Sequence, residues 1–445
     1  MPENRWLAHR ACLPMRGSSV RTFSIVRLGL RQFAAGVLSV LALGILNRIM
    51  KIEMGLDLGL VGLVIGAHYF AAPIAIPLGH RSDRKPIRGL HRTPYILAGT
   101  ALTAAATVAA PFVALAMEAQ HGGLAASLLG LATFLTMGAG MYIAGTAYLS
   151  LIADLVPEGG RSKAISIVWS MMMVGILAGV FLGVGVLNAY SPGNLISLFL
   201  AVALGVALLT VVAVWRQERA GTAPSPAAVS TRQAVALLNG RQPRLFFAFL
   251  CSGILFLFLQ QVVLEPFGGD VFGMSIRQTT MFNAYQMVGV LAGMAAAGAW
   301  ISPRLGEKRT AGLGLIVASL SFALLGVASA QAVTALVAPA ILLMGVGMGF
   351  FNVGGLALMI GMSAAGNHGI FMGAWTLAQA VANGVASVGG GYVHDVALRA
   401  LGSEPSAYAA VFILEAVGLV GTILVLSAVS PHEFRAHTSA HLAPA

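Results

Sequence analysis

The chain has 445 residues, of which 58% are hydrophobic and only 9% are charged, and its mean hydropathy is +0.86. A water-soluble domain carries about 25% charged residues, so this composition excludes a soluble protein and indicates an integral membrane protein. At about 20 residues per crossing, the length allows about a dozen membrane-spanning helices. The ~10-residue alternating segments of a membrane β-barrel are absent, and we therefore expect an all-α bundle.

The apolar segments fall into two groups of six, separated by a polar stretch. The first group lies at about 33–50, 57–79, 94–117, 129–152, 164–187 and 194–214. The second group lies at about 244–264, 279–301, 311–330, 335–362, 370–392 and 408–429. The sequence therefore predicts twelve spans arranged as an N-terminal tail at 1–32, a six-helix bundle at 33–214, a linker at 215–243, a second six-helix bundle at 244–430 and a C-terminal tail at 431–445.

The apolar run at 33–50 is longer than the core of a signal peptide and is followed by no small-residue cleavage site, so we interpret it as the first span. Before it, residues 21–30 combine arginines with apolar side chains. That pattern is compatible with a short helix at the membrane interface or with a disordered tail.

The basic residues are concentrated in the loops on one side of the predicted membrane. When the loops are assigned alternately to the two sides, the side of the N-terminus receives all of the 26 Lys and Arg residues except Arg48, Lys51, Arg277 and Arg399. The positive-inside rule then predicts that both termini and the linker are cytoplasmic. The formal charge of +11 is thus explained by orientation in the membrane, and we expect no nucleic-acid binding.

The second half of the chain echoes the first, as in transporters built from two parallel six-helix repeats. The segment G-A-G-M at 138–141 is followed by Trp169, and G-V-G-M at 345–348 is followed at a nearly equal distance by Trp375. Both pairs fall in corresponding spans of the two halves, which favours an internal duplication over a chance match.

Two polar loops resemble those of the major facilitator superfamily. The stretch G-H-R-S-D-R-K-P-I-R at 79–88 is similar to the loop signature of that superfamily, with matching residues at Gly79, Asp83, Arg84 and Arg88. The loop at 153–164 carries Asp154 and Arg161, which we expect to form a charge pair. The alternative for the first loop is a basic segment that only orients the chain in the membrane.

The predicted spans contain mostly neutral polar groups. Glu415 is the one acid well inside a span, so the chain is a poor match to a proton-driven carrier. Groups that we expect to hydrogen-bond between helices are Asn47, His68, Tyr69, Gln260, Gln261, Asn283, Tyr285, Gln286, Asn352, Gln379 and Asn383. No catalytic motif is recognisable, and we do not expect an enzyme.

Four stretches carry a narrower resemblance. They are L-N-R-I-M-K-I-E-M-G at 46–55, G-H-R-S-D-R-K-P-I-R-G-L-H-R-T-P-Y-I at 79–96, L-Q-Q-V-V-L-E-P-F-G-G-D-V-F-G-M at 259–274 and G-I-F-M-G-A-W-T-L-A-Q-A at 369–380. The chain resembles the PucC/LhaA family of photosynthetic bacteria, also called the bacteriochlorophyll delivery family, a branch of the major facilitator superfamily. The family's motif residues correspond here to Asn47, Arg48, Glu53, Asp83, His91, Arg92, Glu265, Pro266, Gly268 and Gly269.

The resemblance implies a role in assembling light-harvesting complexes in the bacterial inner, intracytoplasmic photosynthetic membrane, where bacteriochlorophyll is passed to antenna polypeptides. Expected partners are the antenna polypeptides, the enzymes of bacteriochlorophyll synthesis and membrane lipids. The sequence leaves two other functions open. One is a facilitator for a small uncharged or amphiphilic solute, and the other is an assembly scaffold that carries no pigment.

Two residues receive specific expectations. His68 has no second ligand at helical spacing, so an ion held by protein side chains alone is not expected there. A magnesium ion already held by a bacteriochlorophyll ring needs one axial donor, which His68 could supply; the alternative is a histidine that hydrogen-bonds between helices. Glu265 is expected near the non-cytoplasmic end of the seventh span, where Pro266 ends the helix and Gly268 and Gly269 turn the chain.

Overall fold

Helices make up nearly all of the chain that the structure describes. The computed structural model describes residues 22–156, 158–187, 190–218, 240–362 and 368–434. Within those ranges there are twelve long helical segments and no β-strand. The all-α class predicted from composition is confirmed.

We number the twelve segments in chain order. In the first half they are α1 (22–53), α2 (58–84), α3 (Thr93–Ala119), α4 (Leu124–Leu155), α5 (Glu158–Val186) and α6 (Pro192–Val214). In the second half they are α7 (241–272), α8 (276–305), α9 (Glu307–Ala330), α10 (334–362), α11 (His368–Leu401) and α12 (Glu404–Ser427). Ten helices of the described chain are long and apolar enough to cross a membrane, and Leu58–Ile74 in α2 is a shorter apolar helix.

Each half has its own apolar core. One buried cluster is built mainly from α7 to α12 and includes Phe249, Phe322 and Phe412. The other large cluster is built mainly from α1 to α6 and includes Leu41 and Phe199. The halves meet where α1 approaches α7, α2 approaches α11 and α5 approaches α8. We call the end of the bundle near residues 218 and 240 the linker end, and the end with the α1–α2, α7–α8 and α11–α12 loops the far end.

The two glycine motifs make equivalent contacts in the two halves. A Cβ atom at Gly138 would collide with the backbone carbonyl oxygen of His68 in α2, and one at Gly345 would collide with that of Gln286 in α8. Gly140 faces α3, and Gly347 faces α9 in the same way. Small residues allow such close backbone approach. The contacts therefore relate α2, α3 and α4 to α8, α9 and α10, which supports the duplication.

Helix α1 begins at Thr22 instead of residue 33. Residues 22–32 thus form neither a separate interfacial helix nor a disordered tail. Ile25 and Leu28 are buried in a third apolar cluster, and the Tyr148 hydroxyl donates to the Leu28 carbonyl oxygen at 2.8 Å. The helix extends because these apolar side chains pack in one cluster with residues of α4 and α5, and the arginines nearby in the sequence hide this apolar pattern.

Helix α7 is interrupted by a 3-10 turn before the L-E-P-F-G-G motif and then continues through it. Its α-helical part stops at Phe258, a 3-10 turn covers Leu259–Val262, and a second α-helical part covers Leu264–Phe272. The expectation that Pro266 ends the helix and that the two glycines turn the chain is wrong. Pro266 lies in the first turn of the second part, where a proline costs no hydrogen bond. The turn is made by Gly273, whose φ of +64° is the left-handed conformation that ends helices.

Candidate functional site at the break in helix α7

The 3-10 turn in α7 frees backbone groups, and side chains from other helices satisfy two of them. The Gln260 N–H donates to Glu415 Oε1 of α12 at 2.5 Å. The Val262 carbonyl oxygen accepts from Asn47 Nδ2 of α1 at 2.7 Å. Asn47 and Glu415 are both fully buried. In a membrane, a break in a helix persists only when its freed polar groups find such partners.

Neutral polar side chains of α2 lie beside the break. The Tyr69 hydroxyl and the Gln261 side chain are hydrogen-bonded, with Nε2 of Gln261 3.1 Å from the hydroxyl oxygen. The next ring along α2, that of His68, has its centroid 3.8 Å from the Tyr69 ring. These contacts join the two halves at about the middle of α2 and α7.

The hydrogen bond of His68 determines its tautomer. Nδ1 lies 2.6 Å from the carbonyl oxygen of Ile65, which only accepts. Nδ1 therefore carries a proton, and in the neutral imidazole Nε2 keeps its lone pair. The side chain is buried. An imidazole oriented in this way is the usual form of a histidine that ligates a metal ion.

Glu265 lies inside the second part of α7 and is buried. Asn283 of α8 donates from Nδ2 to Glu265 Oε1 at 2.6 Å, and Gly44 of α1 lies against the same carboxyl group. In the described part of the chain no group donates to Oε2. The carboxyl group thus sits where α1, α7 and α8 meet. From the sequence we instead expect Glu265 near a polar turn, because a proline and two glycines follow it.

The structure brings the first and third motif stretches together. Arg48 forms an ion pair with Glu53, Nη1 to Oε1 at 2.8 Å, and donates from Nη2 to the Met274 carbonyl oxygen at 2.8 Å. Gly269 faces Ile52, and a side chain there would press on it. The two stretches therefore form one interface between α1 and the end of α7.

The second motif stretch builds a separate cluster at the linker end. The carboxylate of Glu218 accepts from the backbone N–H groups of His91, Arg92 and Thr93 at 2.6, 2.9 and 2.7 Å. Arg92 also pairs with Asp154, Nε to Oδ2 at 2.9 Å. Glu218 was not identified from the sequence; its only signal is a lone acid in the basic stretch that follows α6.

Several predicted residues are described only partly. The surroundings of Gly79 and the side chains of Asp83, Arg84 and Arg161 lie outside the described part of the chain, so the predicted pair of Asp154 with Arg161 stays a prediction. Trp375 is buried beside Gly355 in the apolar cluster built mainly from α7 to α12.

Two six-helix halves that meet at a broken helix define a membrane protein with the major facilitator fold of transporters. Solved structures agree: the nucleoside transporter NupG aligns with a TM-score of 0.65 at 17% identity, covering 92% of this chain and 98% of that one. A D-xylose-proton symporter aligns with a TM-score of 0.67 at 14% identity, covering 89% and 97%. At such low identity the likeness concerns the fold alone.

The chain belongs to the PUCC protein family, whose model matches residues 45–434. It is 32% identical over 408 residues to a Rhodobacter capsulatus protein named bacteriochlorophyll synthase 44.5 kDa chain, covering 87% of this chain and 91% of that one. It is 28% identical over 387 residues to protein PucC of Rhodovulum sulfidophilum, covering 83% and 85%. The family resemblance seen in the four motif stretches is confirmed.

Proposed function

We propose that the protein is a membrane assembly factor for bacterial light-harvesting complexes, which binds bacteriochlorophyll and delivers it to antenna polypeptides without catalysing a reaction. The observation that carries this proposal is the break in α7, where neutral donors and acceptors of both halves meet. Transporters bind their substrates at such discontinuous helices. The relative named as a bacteriochlorophyll synthase chain connects the family to this pigment.

The chemistry of His68 and its neighbours suits this cargo. The magnesium ion of a bacteriochlorophyll is held by four ring nitrogens and accepts an axial ligand, for which the Nε2 lone pair of His68 has the right donor character. Tyr69 and Gln261 offer uncharged hydrogen bonds to oxygen substituents of a ring. We therefore propose His68 as the residue that ligates the pigment.

The wider setting follows from the charge pattern and the family. We propose that the protein lies in the bacterial inner, photosynthetic membrane with its linker end and both termini in the cytoplasm. Antenna polypeptides are its main partners, and the enzymes that finish bacteriochlorophyll synthesis would supply its cargo. The likeness to solved solute carriers supports a second candidate function, a facilitator for a small uncharged or amphiphilic solute.

The test is purification from cells that make bacteriochlorophyll, followed by absorption spectroscopy and by identification of co-purified antenna polypeptides. We expect the wild type to carry pigment and His68→Phe to lose most of it while remaining folded. His432→Phe is the matched control, because His432 is exposed and distant from the break.

The outcomes separate the candidate functions. Unchanged pigment in His68→Phe would contradict ligation by His68. Co-purification of antenna polypeptides without pigment would favour an assembly scaffold. The absence of both pigment and antenna polypeptides would favour a facilitator of another solute.

A further inference from the structure

A buried histidine at the far end bonds to two carboxylates. His394 of α11 has Nδ1 3.1 Å from Asp395 Oδ1 and Nε2 2.9 Å from Glu404 Oε2. Ionised carboxylates only accept hydrogen bonds, so beside ionised Asp395 and Glu404 both ring nitrogens donate. In that arrangement His394 is an imidazolium cation with a fully buried side chain. A buried charge of this kind is stable only while its partners remain in place.

The same two carboxylates also bind the first half of the chain. Asp395 Oδ2 accepts from the backbone N–H of Gly59, in the first turn of α2, at 2.7 Å. Glu404 Oε1 lies 3.5 Å from Nζ of Lys51 near the end of α1. The proton on His394 thus holds together two acids that connect α11 and α12 to α1 and α2.

The remaining neighbours make the cluster sensitive to this proton. The Tyr408 ring of α12 has its centroid 4.3 Å from the His394 ring, and the Tyr408 hydroxyl donates to Asp270 of α7 at 2.6 Å. We call these residues the far-end cluster: Lys51, Asp270, His394, Asp395, Glu404 and Tyr408. With His394 protonated, two cations face three acids. Without that proton, Lys51 alone faces them.

Helix α2 packs closely on α11 near the same end of the bundle. A Cβ atom at Gly391 would collide with the Leu58 carbonyl oxygen, and one at Gly62 would collide with that of Ser387. The Ser387 hydroxyl donates to the Gly62 carbonyl oxygen at 3.3 Å. Because α2 and α11 are in contact along their backbones, each would move as a rigid helix if the halves separated. Loss of the cluster would therefore open the whole contact between α2 and α11 at this end, and not only displace one side chain.

We propose that His394 is a proton-binding switch that holds the far ends of the two halves together, and that loss of its proton allows them to separate. The assignment stands on the two carboxylates at the ring nitrogens and on their bonds across the halves. It does not depend on which cargo the protein carries.

The pKa shifts of His394 and Asp395 have the directions that the proposal requires. His394 and Asp395 lie beyond the apolar segment 370–392. Burial alone would lower the pKa of His394, but its hydrogen bonds to Asp395 and Glu404 outweigh burial and raise the pKa above its ordinary value. Burial alone would raise the pKa of Asp395, but the hydrogen bonds from His394 and Gly59 outweigh it and lower that pKa.

The pH range of the closed far end follows from these directions. Stability from His394 is fully present below the ordinary histidine pKa of about 6.5 and is lost as the pH rises through the raised value. Stability from Asp395 is lost only as the pH falls through its lowered pKa. The far end should therefore be closed in mildly acidic solution and should open on the alkaline side.

Spin labels across the far end test the switch. The labels replace the exposed residues Asp57 and Leu401 in a chain whose Cys12 and Cys251 have been changed to serine, and the protein is purified without pigment in lipid nanodiscs. Pulsed electron spin resonance then gives the distance between labels from about pH 5 to about pH 9. We expect one short distance at the acidic end and a growing population of longer distances as the pH rises.

Two variants decide the role of His394. In His394→Gln the longer distances should be populated throughout and the pH dependence should disappear. In Glu404→Gln, which keeps the histidine but removes one acid, the transition should move to lower pH, because one of the hydrogen bonds that raise the pKa of His394 is weakened. His432→Gln, at an exposed histidine, should behave as the wild type.

A titration of His394→Gln that matches the wild type would overturn the proposal. If that variant does not fold, Glu404→Gln decides alone, because Glu404 is partly exposed and its replacement leaves the rest of the cluster in place. A transition at an unchanged pH in Glu404→Gln would equally overturn the proposal. Neither result depends on pigment binding.

Discussion

Asn47 of α1 donates from Nδ2 to the carbonyl oxygen of Val262 in α7, at 2.7 Å, and so joins the two halves of the bundle through a backbone group that a regular helix would have kept for itself. Glu415 accepts from the Gln260 N–H on the other side of the same turn. The 3-10 turn is thus held from both sides by buried side chains. The shape of α7 is consequently a property of the assembled bundle.

Replacing Asn47 with alanine should destabilise the folded protein. The Val262 carbonyl oxygen would remain buried without its donor, and such a loss costs about 1–3 kcal/mol. We expect a lower thermal unfolding midpoint in detergent solution, while Asn194→Ala, at an exposed asparagine, should leave it unchanged. Equal midpoints for both variants would mean that the break does not need Asn47.

Replacing Glu265 with glutamine should leave the protein folded but impair antenna assembly, if the proposed function holds. Glutamine keeps an oxygen that accepts from Asn283 and removes the acid. The measurements are the amount of protein in the membrane by immunoblot and the antenna absorption of the cells. Glu307→Gln is the control, since Glu307 is exposed. Normal antenna absorption in Glu265→Gln would show that antenna assembly does not need the acid of this motif.

Replacing Glu218 with alanine should loosen the start of α3. The carboxylate accepts from three successive backbone N–H groups, and loss of such a cap costs about 0.5–2 kcal/mol. Hydrogen exchange measured by mass spectrometry should rise at residues 91–96, while the nearby exposed variant Lys85→Ala should not change it. Unchanged exchange would show that Arg92 and Asp154 hold this segment without Glu218.

Reporter fusions test the predicted orientation. Fusions at Ala220 and after Ala445 should give cytoplasmic signals, and a fusion near Gly402 should report the opposite side. The expectation follows from the loops that carry the basic residues. A signal from the opposite side at Ala220 would overturn the arrangement of six spans on each side of the linker.

Hydropathy predicts most of this fold because the apolar segments are long and are separated by charged loops. It misplaces the start of α1, since the apolar residues Ile25 and Leu28 stand among arginines and pack on a helix more than 100 residues away. It also predicts an early end for α7, because Pro266 and two glycines normally mark a turn. Within the assembled bundle, those glycines instead make room for α8 and α1.

The candidate site was only partly accessible to sequence reasoning. His68, Tyr69 and Gln261 stand out as polar groups in apolar segments, and the structure places them together. The 3-10 turn cannot be recognised from the residues around it, because the side chains that bond to it, Asn47 and Glu415, are distant in sequence. The pairing of His394 with Glu404 was missed for another reason: the two residues lie on different helices, and the loop between them brings them together.

The equivalence of His68 and Gln286 under the repeat has a consequence for anything bound between the halves. Each residue contributes its backbone carbonyl to a matching glycine, Gly138 or Gly345. Their side chains differ: one is an imidazole whose Nδ1 donates to the Ile65 carbonyl oxygen, and the other is an amide that donates to the sulfur of Met348 at 3.2 Å. The two halves are therefore alike in backbone at this position but not in side chain. If the proposed function holds, a pigment bound between the halves would meet two unlike faces, and it would bind in one orientation rather than two.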